Sequence, residues 1–471
     1  MSRGVAIALG IIQSFFIVRL LSVSDWGVIQ IAASIGGAFG IYQHLGLASG
    51  STREISAAKD DTEIFKIFLM STLIRYAMTL PIAIWLFFAA RGIATNQYNL
   101  PSLTLPLQMF ALVLMLQGVQ SLLNSVISGT KRFKNLFLFQ AGIAVVSVII
   151  YIPLIAAYRV NGYFYALVLF NLVSSVILGY LAFKPLKFRF ELPTKVEFKM
   201  LMKDLLSISL AIYAIKIIYT MWEKSGPILL GLHITPELVG IFAFALLYAK
   251  KLMAISDAIT DVNLPVLSDK FVHDFEAFKD LFRRNFDKIF AVIVYTAAIF
   301  IYWSPELVRF AVKGDKYDRA LPFIFPIVFA YIFYSFTNII TASVSIPAKY
   351  SRDMIISFIV LLAATVAFYF GASSWLGGLA AMSYGMFIGA ILSFLYLVVA
   401  TQLKLKFIYF NHDHVLLLIQ CVVISLAWNT ENIAIKLGAF IIYTVLLGFA
   451  IYLTKFIEVS DFDVILRKIK R

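Results

Sequence analysis

The chain has 471 residues, 61% of them hydrophobic and only 14% charged, with a mean hydropathy of +0.89. Soluble domains run near half apolar and a quarter charged, so this composition excludes an ordinary soluble core and calls for many membrane spans in series. Lysine and arginine total 40 against 26 acidic residues, a net charge of +14, and the single cysteine, Cys421, excludes an internal disulfide or a thiolate metal cluster.

Apolar runs of about 17–25 residues mark transmembrane helices. The first, 4–21, ends in Arg19 and has no small-residue cleavage site, so it reads as a span and not a signal peptide. The second, 26–48, carries Gln30 and Ser34, the close-packing pattern Gly36-x-x-x-Gly40 and then His44. Arg53 follows it, and Arg75 sits mid-way along the third, 65–90. The fourth, 105–129, shows a stripe of Gln117, Gln120, Asn124 and Ser128. The fifth and sixth, 136–158 and 162–183, are almost purely apolar and lead into the basic stretch 184–204.

The seventh span, 205–230, places Ser209, Tyr213, Lys216, Thr220 and Glu223 at steps of four, three, four and three, one face of a helix, with Lys224 adjacent and Pro227 beyond. The eighth, 238–259, carries Lys250, Asp257 and Asp261 on one face, with Lys251 adjacent. The ninth is 286–303. The tenth, 321–346, carries Tyr331, Tyr334, Asn338, Thr341 and Ser345. Spans at 354–371, 375–401, 414–428 and 436–454 complete about fourteen, the thirteenth being short for a ~30 Å hydrocarbon core. The expected fold is therefore an all-α polytopic membrane protein.

The loops give its orientation. With the N-terminus inside, roughly 27 basic residues fall on the cytoplasmic side and about 8 outside, which places both termini in the cytoplasm. Topology absorbs most of the positive charge, so nucleic-acid binding is not indicated. A repeat is also visible: Asp25 and Gly27 at the first hairpin align with Glu237 and Gly240 at the seventh-to-eighth junction. The expected organisation is an N-lobe of six spans over 1–183, a cytoplasmic connector over 184–204, and a second six-span lobe over 205–401. Two further helices and an amphipathic tail occupy 402–471. Such repeats are the usual construction of transporters, with the substrate site between them.

Hydroxyl and amide stripes fit helix-seam packing and a cavity lining equally well. Charges are more informative. Each costs on the order of 2.5–3.5 kcal/mol at mid-bilayer, so several together point to a wet interior. A cavity fed by Arg19, Arg53, Lys216, Lys224 and Lys250 is net cationic and suits a phosphate or pyrophosphate, whereas a cationic drug would be repelled. No phosphate-binding P-loop, zinc-protease helix or nucleophile elbow occurs, and the chain is not expected to be an enzyme or to hold a cofactor. The "NHDH" run at 411–414 contains metal-ligand types but no evident distant partner.

The run from Leu20 and Leu21 through Asp25, Trp26 and Gly27 to Leu45, Gly46, Leu47, Arg53 and Glu54 resembles the opening hairpin of the polysaccharide transporter family. "WEKSGPILLG" (222–231), "VNLPVLS" (262–268) and "ELVRFAVKGDKYDRALPF" (306–323) resemble its later motifs in the same order. That family belongs to the superfamily holding multidrug exporters and lipid II flippases. The resemblance implies two six-helix lobes in a V around a central cavity, plus two C-terminal helices. It implies a cytoplasmic-membrane flippase that moves a polyprenyl-diphosphate-linked oligosaccharide outward, for O-antigen or capsule, by alternating access. On that reading Arg19, Arg53, Lys216, Lys224 and Lys250 meet the diphosphate. Gln30, Ser34, Gln117, Gln120, Asn124, Tyr213, Tyr334 and Asn338 meet sugar or line the cavity. Membrane potential or an Na+ or H+ gradient drives the cycle, with Glu223 and Asp257 as the acidic groups for ion coupling. A polysaccharide polymerase or ligase is the expected downstream partner. The competing readings are a cation-coupled drug exporter, which calls for an acidic cavity, and a glycan polymerase or scaffold subunit.

Overall fold

The computed structural model describes residues 2–43, 47–194, 210–253, 267 and 269–456. His44, Asp257, Asp261, the rest of the connector and the amphipathic tail lie outside the described residues. Every described helix or strand element is helical, as a membrane requires, because helices satisfy their own backbone polar groups without water. Among the described residues, eight helices are long and apolar enough to cross a membrane by length and composition.

The first compact unit spans Met1–Ala243. It contains α1 (Ser2–Leu20), α2 (Val23–Gly40), α3 (Leu47–Ala57), α4 (Asp61–Gly92), α5 (Thr104–Gly129), α6 (Phe133–Phe183), α7 (Leu210–His233) and the first half of α8 (Pro236–Lys250). Three spans differ from expectation. In the second, expected over 26–48, the α-helix ends at Gly40 and gives way to a 3-10 turn at Ile41–Gln43. The fifth and sixth form one 51-residue run that folds back at Arg159, whose φ of 53° is not helical. The rings of Tyr151 and Tyr163 lie 5.5 Å apart; on a straight helix those residues would be separated by about 18 Å. Gly162 permits the return, since a Cβ there would stand 1.9 Å from the Leu154 carbonyl oxygen.

The beginning of the connector is strapped to α4. The Lys187 N–H donates to Asp61 Oδ2 at 2.8 Å, the Arg189 N–H to Thr62 Oγ1 at 3.2 Å, and Phe188 stacks on Phe65 with centroids 4.4 Å apart. Elsewhere in this unit the N-terminal turns of α2 and α8 meet backbone to backbone. A Cβ on Gly27 would lie 1.7 Å from the Pro236 carbonyl oxygen, and one on Gly240 would lie 2.0 Å from that of Val23. The two glycines paired by the sequence repeat therefore sit in one reciprocal contact. Ser22 and Asp25 form a capping box that fixes the start of α2 there.

The second unit spans Phe244–Arg471. Its described helices after α8 are α9 (Phe275–Tyr302), α10 (Ser304–Val312), α11 (Leu321–Ile340), α12 (Ser351–Leu376), α13 (Gly378–Leu405), α14 (His412–Leu426) and α15 (Ile433–Thr454). α12 and α13 form a hairpin on which α11 packs, and α9 packs against both α11 and α14. Its core is aromatic: Phe278, Phe282, Phe286 and Phe290 recur on one face of α9 and are buried, and Phe290 stacks on Phe336 at 4.4 Å. At its edge Lys436, 1% exposed, donates to both oxygens of Glu306 at 2.7 and 2.9 Å and ties α15 to α10.

Candidate functional site

Within the first unit, α2, α5 and α7 line an open cavity of about 320 Å³. α7 contributes Lys216, Tyr219, Thr220 and Glu223, spaced by three, one and three residues and so on one helical face. α2 contributes Gly37, Gly40 and the following Ile41; α5 contributes Phe110, Leu114 and Gln117. The glycines supply backbone and no bulk, so the open space comes from the side chains that α2 lacks. Phe110 fills the neighbouring notch at Gly36, where a Cβ would meet its ring at 2.1 Å.

The charges stand on α7. Glu223 and Lys224 form an ion pair at 3.5 Å with side chains 14% and 27% exposed, and Lys216 is exposed at the cavity wall. Two lysines against one glutamate give this cluster a formal charge of +1. The Lys224 arm crosses to α2, its Cε 3.1 Å from where a Gly37 Cβ would be. Nearer the other end of the seam, the Tyr213 hydroxyl donates to the Tyr42 carbonyl at 3.0 Å. Such a cluster can bind an anion and hold or release a proton at the carboxylate.

The cavity thus brings together Lys216, Glu223 and Gln117, with Lys224 alongside. The other sequence-expected residues stand elsewhere. Arg19 is half-buried, its guanidinium 5.4 Å from the Phe16 ring. Arg53 is exposed and donates to Glu54 at 2.6 Å. Gln30 is half-buried and Ser34 buried on α2. The Gln120 amide donates to the Asn171 carbonyl at 2.7 Å, to the Asn171 side chain at 3.1 Å and to Ser175 at 3.2 Å, which places it in the α5–α6 seam. Asn124 is half-buried one turn further on. In the second unit, Lys250 is exposed, Tyr334 is buried with its ring edge-on to Phe358, and Asn338 is half-buried. Sequence reasoning did not pick out Tyr219, Phe110 or Gly37 as site residues. Tyr219 had a signal, since it precedes Thr220 on the charged face, whereas Phe110 is one aromatic among many in an apolar helix.

"NHDH" serves as a cap. Asn411 accepts from the Asp413 N–H at 3.1 Å, and His414 Nδ1 lies 2.8 Å from Asn411 Oδ1. His414 Nε2 lies 3.0 Å from Asp287 Oδ1, which brings the start of α14 against α9. No group of three metal-ligand side chains occurs among the described residues.

A family described as polysaccharide biosynthesis protein matches residues 16–322, more than half of the chain. The chain belongs to that family. No curated protein sequence matches. Among solved structures, the family member described here is similar to the lipid II flippase MurJ in an inward closed conformation, with TM-score 0.72 and 13% identity over 96% of this chain and 98% of that one. It is also similar to an inward-facing multidrug resistance MATE family transporter of the MOP superfamily, with TM-score 0.67 and 14% identity over 84% and 94%. A MOP superfamily transporter from Pyrococcus furiosus, described as having a binding pocket of reverse polarity, aligns with TM-score 0.53 and 15% identity over 86% and 94%. At such identities the likeness establishes the fold, that of a multi-pass membrane protein of the MATE and MurJ type.

Proposed function

We propose that this member of the polysaccharide biosynthesis protein family is a flippase that carries a polyprenyl-diphosphate-linked oligosaccharide from the cytoplasmic to the outer leaflet. The observation that carries the reading is the cavity between membrane helices with Lys216 and Glu223 in its wall and Lys224 at its edge. A net positive site inside an apolar helix bundle is expensive unless an anion uses it. Ligand sites run from about 300 to 1,000 Å³. At about 320 Å³ the cavity suits a diphosphate with the first part of a sugar, and the rest of so large a substrate must extend beyond it.

The cycle we envisage is alternating access by two six-helix halves joined through 184–204, with N- and C-termini in the cytoplasm of a cell bounded by this inner membrane. The inside-negative potential favours outward movement of the anionic head by ~2.3 kcal/mol per charge per 100 mV. Glu223, next to both lysines in sequence position or cavity wall, is the group on which ion coupling to reset the carrier would act. The flipped product is then available to a polymerase or ligase on the outer face.

The test uses purified protein in liposomes containing a fluorescent polyprenyl-diphosphate oligosaccharide, with outer-leaflet exposure followed with and without an imposed potential. Wild type is expected to flip the lipid, and Lys216→Ala and Lys224→Ala to lose most of that rate while remaining folded. Undiminished flipping in both variants refutes the diphosphate site. Export of a cationic dye without lipid flipping favours the multidrug-exporter reading that the shared fold also accommodates.

A further inference from the structure

Lys224 is on α7, but its reach is set by α2. A Cβ built on Gly37 would stand 3.1 Å from Lys224 Cε, 3.8 Å from Cδ and 4.0 Å from Nζ, so the last three atoms of the lysine lie across bare α2 backbone. The arm therefore lies against a stretch of helix surface that carries no side chain. Gly37 itself is in the cavity wall, and the ammonium at the end of the arm is 3.5 Å from the cavity-lining Glu223. The preceding Gly36 does for an aromatic ring what Gly37 does for the lysine: it seats Phe110, the apolar wall opposite.

We propose that Gly37 is a positioning residue for Lys224: its missing side chain is the slot that lays the lysine arm over α2 and delivers the ammonium to the rim of the cavity beside Glu223. The placement of the arm stands on geometry alone; its use for a diphosphate rests on the function proposed above. The slot is graded. Alanine at 37 presses only on the flexible end of the arm and moves it by a few tenths of an ångström, whereas the two γ-carbons of valine occupy its path.

Two measurements on the full-length protein in detergent separate these claims. In the first, amine acetylation is followed by mass spectrometry, with Lys216 as the internal reference. Gly37→Val is expected to raise the acetylation rate of Lys224 several-fold relative to Lys216, and Gly37→Ala to raise it by a smaller step. An unchanged Lys224 rate in Gly37→Val overturns the proposal. In the second, binding of geranylgeranyl diphosphate is measured for wild type, Gly37→Val, Lys224→Met and the double variant. Each single variant is expected to bind roughly tenfold or more weakly, the loss of a charge-assisted contact, and the double variant no more weakly than Lys224→Met. A double variant that shows the product of the two losses means that Gly37 acts through packing and overturns the positioning role. If Lys224→Met binds like wild type while the acetylation rate still responds to Gly37→Val, the slot stands and the diphosphate reading at Lys224 falls.

Discussion

The reciprocal contact of Gly27 and Gly240 gives the sharpest stability prediction. In each case the atom that an alanine Cβ would meet is a backbone carbonyl oxygen, at 1.7 Å from position 27 and 2.0 Å from position 240. Backbone cannot step aside as a flexible side chain does, so α2 and α8 must part by on the order of 1.5 Å to restore an ordinary contact. Overpacking of this kind costs ~1–3 kcal/mol. Gly27→Ala and Gly240→Ala are each expected to lose that much in reversible unfolding by dodecyl sulfate in mixed micelles, followed by far-ultraviolet circular dichroism. Once one alanine has separated the helices, the second meets less resistance, so the double variant should fall short of the sum by ~0.5 kcal/mol or more. Gly142→Ala is the control: nothing lies within 4 Å of its added Cβ, and the helix-forming preference of alanine should leave it equal or more stable. Singles within 0.5 kcal/mol of wild type, or strict additivity in the double, would refute the contact.

Three further outcomes follow from the same packing. Gln120→Leu should lower stability by ~0.6–1.7 kcal/mol through loss of its bonds to Asn171 and Ser175 and leave diphosphate binding unchanged; weaker binding at unchanged stability would return Gln120 to the site. Asp287→Leu takes the polar neighbour from a His414 that is 1% exposed and should cost ~1–3 kcal/mol in the same unfolding assay, with much of it recovered when Asp287 and His414 are both replaced by leucine. In the loop after α10, burial pushes the Lys316 ammonium below its ordinary range. The folded state then holds that proton less well than the unfolded chain, so stability should rise with pH through the folded-state pKa and level off near the unfolded value. Lys316→Met should be more stable than wild type at neutral pH, with a lead that shrinks toward pH ~10; a lead that grows would reverse the sign of the argument.

Much of the fold was legible because hydrocarbon imposes a length and a composition that few other environments impose. All fourteen expected apolar runs coincide with helices at least in part, including the thirteenth, whose 15 residues reach about 22 Å. What escaped was the manner of joining. Nothing in "AAYRVNGYFY" distinguishes a loop from the abrupt return at Arg159, because the return depends on Gly162 having no side chain opposite Leu154, a contact made only after the two arms have packed. Likewise the expected second span runs to residue 48, since apolar content continues past Gly40, where the α-helix gives way to a 3-10 turn.

The site was legible to the extent that its residues share an angle on one helix. Lys216 and Glu223 are seven residues apart, about 20° short of two full turns, so a charged face read from sequence survives as a cavity wall. Gln117 and Gln120 show where that reasoning stops. They belong to one polar stripe on α5, yet three residues leave them about 60° apart, enough for one to face the cavity and the other to bond across to α6. Which of the two faces which partner is decided by where α2, α6 and α7 stand around α5. Lys224 carries the point further: adjacent to Glu223, it should diverge from it by about 100° around the helix. Its long arm, lying over the bare surface at Gly37, closes that angle to an ion pair at 3.5 Å. The charge of the site is therefore written on α7, and its position on α2.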